Sequence, residues 1–289
     1  MVSSERSSNQ LIKQIGQRFS RRGWLLAFFL LDLLIIYGIF NNDKLIDAWN
    51  FVIRGIGVTI QITIWAFVFA LIIGLITAFG RISKNVLIYN VATFYVEIFR
   101  GLPLLVIILI FAFVVTPAIV DWIAQSPFDD VVQVIFGANP ETISTTALRT
   151  RDIDSVWRIM LAFALTYGAF MSEVFRAGIE SIGHGQMEAA RSLGMTYVQA
   201  MRFIILPQAV RNVLPALANN FVFLLKDTSL ASVVAVPEIS QLTRQYSSNN
   251  FRYPEGLLVL SFIYANLTIV LSTIANYLEI SLQAEKREG

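Results

Sequence analysis

From Gly57 to Phe79 the chain carries no charged side chain, and then it meets Arg81 and Lys84. At ~1.5 Å per residue such a run crosses the ~30 Å hydrocarbon layer of a bilayer. Of the 289 residues, 56% are hydrophobic and only 15% are charged, too little polar surface for a water-soluble domain of this size. The apolar runs are long and do not alternate, so the spanning elements are helices rather than the strands of a barrel. The fold class expected is an all-α integral membrane protein.

Five further apolar regions complete the set. Trp24 to Phe40 is a first span, with Asp32 near its middle; Val86 to Ile123 is a third, interrupted at Arg100-Gly101-Leu102-Pro103. Val156 to Ile179, Ala209 to Val236 and Gly256 to Leu278 follow. The fifth contains Pro215, Asn219, Asn220, Lys226 and Asp227, so a plain continuous helix is not expected there. In the third, either Leu102 to Ile123 crosses alone, or the helix enters near Val86 and Arg100 lies about 21 Å further in. About six spans with both termini in the cytoplasm place most basic residues inside: Arg6 to Arg22, Arg81, Lys84, Arg191, Arg202, Arg211, Lys286 and Arg287.

The resulting organisation has residues 1–50 as a basic leader, an extra N-terminal helix and a short outer loop. Residues 51–283 form the main domain, with an acidic outer insert at 125–155 and a polar cytoplasmic segment at 182–207. Residues 284–289 are a cytoplasmic tail. The basic leader is long and the first apolar run lacks a small-residue cleavage site, which argues against a cleavable signal peptide.

Much chemistry is excluded by composition. There is no cysteine, so no disulfide framework, thiolate metal site or cysteine nucleophile. His184 is the single histidine, which leaves histidine metal sites and catalytic triads without parts, and it reads as a solvated loop residue. A net charge of +2 gives no reason to expect a nucleic-acid partner. No Gly-rich phosphate loop with Lys and Ser or Thr is present, so this chain does not bind ATP by that device.

The polar cytoplasmic segment is patterned: Glu188-Ala189-Ala190-Arg191-Ser192-Leu193-Gly194, then Ile204-Ile205-Leu206-Pro207 after nine residues. As two short helices, Glu188 to Leu193 and Tyr197 to Ile205 meet at Gly194, which permits a backbone conformation closed to other residues. Small Ala189 and Ala190 let a partner approach closely, and Pro207 starts the next span, where its missing N–H costs least. An ordinary amphipathic loop helix is the plainer alternative. Charges inside the spans form a second group, because a charge near the bilayer centre is costly and usually faces a partner or water. Glu97 with Arg100, and Glu173 with Arg176, are three apart and can pair on one helix face. Lys226 and Asp227 precede Thr228 and Ser229 at an expected helix break, a common device at transport sites. Each pair also reads as a structural ion pair. Asp32 pairs with another helix or is protonated. Gly55, Gly57 and Gly74 permit close helix packing.

These residues carry a family resemblance. The Glu188 to Pro207 segment resembles the Glu-Ala-Ala loop (EAA motif) of permease subunits from bacterial ATP-binding-cassette importers. Glu97-Ile98-Phe99-Arg100-Gly101-Leu102-Pro103-Leu104-Leu105, Glu173 to Ile179, Gly185-Gln186 and Lys226-Asp227-Thr228-Ser229-Leu230 resemble blocks of the polar-amino-acid branch. Leu102 stands where a threonine is commoner, and the N-terminal span and the 125–155 insert depart from the compact pattern. The resemblance covers roughly residues 51–283.

It implies a multi-pass permease subunit of the bacterial inner membrane that moves polar amino acids into the cytoplasm by alternating access. Two ATP-binding subunits, a second permease subunit and an extracytoplasmic amino-acid-binding protein are the implied partners, within membrane lipid. The chain itself is no enzyme and holds no cofactor; ATP and Mg belong to the partner ATPases. ATPase coupling falls to Glu188, Ala189, Ala190, Gly194, Leu206 and Pro207. The candidate substrate path is Glu97, Arg100, Glu173, Asn219, Asn220, Lys226, Asp227, Thr228 and Ser229. An ion-gradient-driven secondary transporter is the alternative, with Asp32, Glu97 and Asp227 as protonation sites. A membrane-embedded enzyme has neither a metal set nor a serine–histidine pair.

Overall fold

The computed structural model describes residues 23–125, 154–182 and 184–288. The leader and nearly all of the expected 125–155 insert lie outside these residues. Every regular element among them is helical. In order they are α1 (Gly23–Phe40), α2 (Asp43–Val52), α3 (Ile56–Ile82), α4 (Val86–Gly101), α5 (Leu104–Ile110) and α6 (Thr116–Ala124). Then come α7 (Ser155–Glu180), α8 (His184–Ser192), α9 (Tyr197–Ala200), α10 (Leu206–Asp227), α11 (Ile239–Asn250) and α12 (Tyr253–Glu288).

Among the described residues four helical segments are long and apolar enough to cross a membrane: Asp43–Ile82, Leu104–Ile123, Ser155–Glu180 and Tyr253–Ala275. Ala27–Phe40 is a shorter apolar helix. The 22-residue α10 is not among the four, since it carries Arg211, Asn212, Asn219, Asn220, Lys226 and Asp227. The residues expected to end in a tail continue as the last turns of α12.

The core is the pair α3 and α7. Ala66, Ala70, Gly74 and Ala78 recur every fourth residue along the buried face of α3. A Cβ on Gly74 would lie 2.8 Å from Met171 Cβ and 3.1 Å from the Gly168 carbonyl oxygen, so the two backbones meet where a side chain is missing. Gly55 likewise lies against the backbone at Glu238–Ile239. Gly57, expected to pack closely, does not: it is exposed with nothing near its Cβ position. Phe163, Met160, Ile159, Ile107 and Ile108 fill the same core.

Two π turns precede two prolines. Phe111–Val115 precedes Thr116-Pro117, and Met201–Ile205 precedes Leu206-Pro207. A proline ring clashes with the carbonyl four residues back and offers no N–H to it; one extra residue in the preceding turn relieves both faults. Pro207 stands in the first turn of α10, as expected, but the π turn joins α10 to α9 without a gap. It sits within one helical rod from Tyr197 to Asp227. Pro215 is absorbed within α10 too, so this helix is continuous to Asp227 and the expected break falls at the 3-10 turn Thr228–Val234.

That turn ends at Ala235 in the left-handed region and leads into α11, which packs with α2 and the start of α12 around Ala48, Val52, Ile239, Tyr246, Val259 and Ile263. The helical character of α2 and α11 was not anticipated: both are short, α11 is mostly polar, and they pack together at one end of the bundle. The α8 segment lies at the other end, where its Met187 packs with Ile82, Ile182, Met201 and Ile204 around Ile179, Ile205 and Ala209. Helix α1 is joined to α12 where Asn266 Nδ2 donates to Asp32 at 3.2 Å, so Asp32 does pair with another helix.

Candidate functional site

The patterned segment folds as a helix, a corner and a rod. Helix α8 starts at His184, not in a loop, and ends where the Met195 amide donates to the Ala190 carbonyl and the Gly194 amide to that of Arg191. This closure needs a left-handed residue after the helix, and Gly194 has φ +82°. Nothing lies near its Cβ position, so glycine is demanded here by backbone conformation rather than by space. Thr196 then caps α9 in a reciprocal box with Gln199.

Glu188 and Ala189 are exposed, whereas Ala190 is 1% exposed. Its small side chain is covered by the chain itself, so Ala189 is the one of the two left exposed. Leu206 is half-buried and Pro207 exposed. Leu193 (82% exposed), Val198 (71%), Phe203 and Tyr197 give this corner an apolar surface with no partner among the described residues.

Charges collect close by. Glu173 on α7 accepts from Arg81 at the end of α3, from Arg100 of α4 at 2.9 Å and from Arg176 at 2.9 Å. Arg176 also bonds Glu180 at 2.7 Å. One carboxylate thus ties three helices. Glu173 and Arg176 pair as expected, but Arg100 does not turn to Glu97. Its guanidinium lies 5.9 Å from the Phe170 ring centre and reaches Glu173, because α4 leans on α7 with Tyr95 donating to the Leu165 carbonyl. Glu97 is exposed, with no side-chain partner among the described residues. Glu173 lies seven residues before the end of α7, so Arg100 reaches a level about 10 Å above that end.

The other end of the rod carries the second group of expected residues. Asn219, Phe223 and Lys226 are exposed at i, i+4 and i+7, on one face of α10, and Asn220 is half-buried beside them. Lys226 Nζ lies 6.0 Å from the Phe223 ring centre. Its neighbour Asp227 points elsewhere, accepting from the Tyr167 hydroxyl at 2.7 Å, so the two do not form the self-contained pair considered from sequence. Thr228 is buried and donates to the Leu225 carbonyl, closing the turn. Ser229 and Lys226 line a cavity of about 370 Å³ with Tyr264, Ala265, Thr268 and Ile269 of α12.

The sequence profile of the binding-protein-dependent transport system inner membrane component family matches residues 70–283. The chain belongs to this family. It is 32% identical over 245 residues to "Probable amino-acid permease protein YxeN" of Bacillus subtilis (strain 168), covering 85% of this chain and 97% of that protein. To the L-cystine transport system permease protein TcyB of the same organism it is 34% identical over 235 residues, covering 80% and 86%. Among solved structures it resembles the crystal structure of an amino acid ABC transporter with histidines, with TM-score 0.63 and 31% identity over 80% of this chain and 94% of that one.

Membership makes this a multi-pass permease of the bacterial inner membrane, a transport subunit. No cluster of His, Cys, Asp and Glu fit to hold a metal occurs among the described residues. Several residues that the structure brings beside the candidate site were not foreseen. Arg81 served only to orient a span, Tyr167, Tyr264 and Thr268 look like filler in apolar runs, and Glu238 follows a Val-Pro that reads as a loop. Tyr167, Tyr264 and Thr268 lie within continuous helices, so no break marked them. Glu238, beyond the spanning helices, is fully buried; it accepts from the Gln241 amide at 2.7 Å and the Tyr264 hydroxyl at 3.0 Å. Burial pushes its carboxyl above the usual range, against those hydrogen bonds.

Proposed function

We propose that this chain is the membrane-spanning subunit of an ATP-driven importer that takes amino acids from an extracytoplasmic binding protein and releases them in the cytoplasm. A second permease subunit and two ATP-binding subunits, which carry ATP and Mg, complete the assembly. The α8 end faces the cytoplasm, in keeping with the bias of Arg and Lys toward that end, and the insert at 125–155 lies outside.

One observation carries this reading. The rod from Tyr197 to Asp227 joins the exposed apolar corner at Leu193 and Val198 to the cavity at Lys226 without a break. At ~1.5 Å per residue it is about 45 Å long. A push on Glu188 to Gly194 and on the Leu206-Pro207 turn therefore reaches Lys226 and Ser229 as one rigid displacement. Glu97, Arg100 and Glu173 belong to the path near its inner mouth, with Glu173 also holding α3, α4 and α7 together. Asn219, Asn220 and Lys226 line its wall, since a polar helix face left to lipid would be costly. In the cavity, Lys226 with Ser229 takes the substrate carboxylate, while Asp227 and Thr228 hold the helix break. A gradient-driven transporter would leave the corner at Leu193 without a purpose.

The test is uptake and ATP hydrolysis by the complete complex in proteoliposomes. Glu188→Lys is expected to assemble but to lose most ATP-driven uptake, and Lys226→Gln to keep ATPase coupling while uptake falls about tenfold. Uptake driven by a proton gradient in the permease alone, or full ATP-driven uptake in Glu188→Lys, would sink the proposal.

A further inference from the structure

Phe251 is 89% exposed, the most exposed large hydrophobic side chain among the described residues. It stands at the corner between α11 and α12, at the end of the bundle away from α8. Its backbone is left-handed, with φ 55°, as the corner requires: the amides of Phe251 and Arg252 both donate to the Ser247 carbonyl. Glycine normally fills this position, and a bulky residue there is strained. The fold thus bears a conformational cost to present an aromatic ring left 89% exposed among the described residues.

The corner is also braced. Asn250 Nδ2 donates to the Tyr246 carbonyl at 2.9 Å, Ser248 and Tyr253 share a hydroxyl contact at 3.0 Å, and Arg252 Nη1 lies 3.5 Å from Asp47 Oδ2. The ring therefore projects from a fixed base. Around it, the exposed positions of α11 are Arg244, Gln245, Ser248, Asn249 and Asn250, all polar. That face of α11 belongs in water, while from the corner onward α12 carries exposed Tyr253, Leu257 and Leu258. An apolar anchor with a polar rim is the anatomy of a protein docking site.

We propose that Phe251 is the anchor by which the outer face of this permease holds its extracytoplasmic binding protein, the ring entering an apolar pocket on that protein. The assignment rests on the importer reading above, which puts this end of the bundle outside and supplies the partner. Lys44, Arg244 and Arg252 are offset there by Asp43, Asp47 and Glu255, so the apolar contact rather than net charge holds the partner.

The experiment uses the full complex with its ATPase subunits in nanodiscs, titrated with the amino-acid-loaded binding protein that stimulates the wild type. Phe251→Gly and Phe251→Ala are expected to raise the half-saturating concentration about tenfold or more. ATP hydrolysis without binding protein should be unchanged, and Phe251→Tyr should stay within about twofold. Phe251→Gly, relieved of strain, should melt no lower than wild type, which separates lost docking from lost folding. An unchanged half-saturating concentration in Phe251→Gly overturns the assignment. So does a lower melting temperature in both truncations without a docking defect, which would make the ring a lipid anchor. A wild-type complex that no binding protein stimulates removes the importer reading, and this assignment with it.

Discussion

Two glutamates hold the opposite ends of this molecule by different means. Glu173, near the α8 end, is surrounded by Arg81, Arg100 and Arg176 and retains 22% side-chain exposure. Glu238, at the other end, is fully buried and is met by a backbone amide and the Tyr264 hydroxyl, with no cation against it among the described residues. The first joins three helices that come from different parts of the chain. The second caps α11 and fixes a local reversal after the broken helix. Where separate helices must stay in register at a partly exposed site, charge spans the gaps; where one turn must keep its shape in a closed interior, hydrogen bonds suffice.

The contrast predicts different responses. Glu173→Ala strands the Arg81 guanidinium, only 11% exposed, and is expected to cost about 3 kcal/mol, near the lower end for breaking a buried pair. Tryptophan-fluorescence melting of the purified permease would read this; a change below about 1 kcal/mol would mean the three arginines are satisfied by water. Tyr264→Phe removes one neutral donor from Glu238 and should cost about 1–2 kcal/mol by the same melt. A loss as large as that of Glu173→Ala would erase the distinction.

The smallest effect is in pH. The Glu238 carboxyl is raised in the folded state, so its protonated form is favoured there. That contribution is present below the usual carboxylate range and is lost as pH rises through the raised value. Glu238→Gln should remove that decline, flattening the melting temperature against pH by about 2 °C. An unchanged slope would show that the hydrogen bonds to Glu238 outweigh its burial.

The sequence exposed most of the fold because hydrocarbon imposes a plain code: Gly57 to Phe79, Val156 to Ile179 and Gly256 to Leu278 each lie inside an observed helix. Helices α2 and α11 escaped, since their reason for existing is packing against each other and α12 rather than hydropathy. The corner at Gly194 was legible because a left-handed residue leaves a chemical mark. The partner of Arg100 was not, because spacing along one helix favours Glu97 whereas the lean of α4 delivers Glu173. The direction of Asp227 was hidden for the same reason: its partner Tyr167 is sixty positions away.

The π turn at Met201–Ile205 has one more implication. A π turn is an α-helix holding one surplus residue, and each residue of an α-helix turns the chain by about 100°. The surplus therefore sets the azimuth of Tyr197 and Val198 relative to the face that bears Asn219 and Lys226. Winding residues 201 to 205 as plain α-helix, with none lost, would leave the rod nearly as long and just as helical, yet aim its lower surface about a quarter-turn away from where it now points.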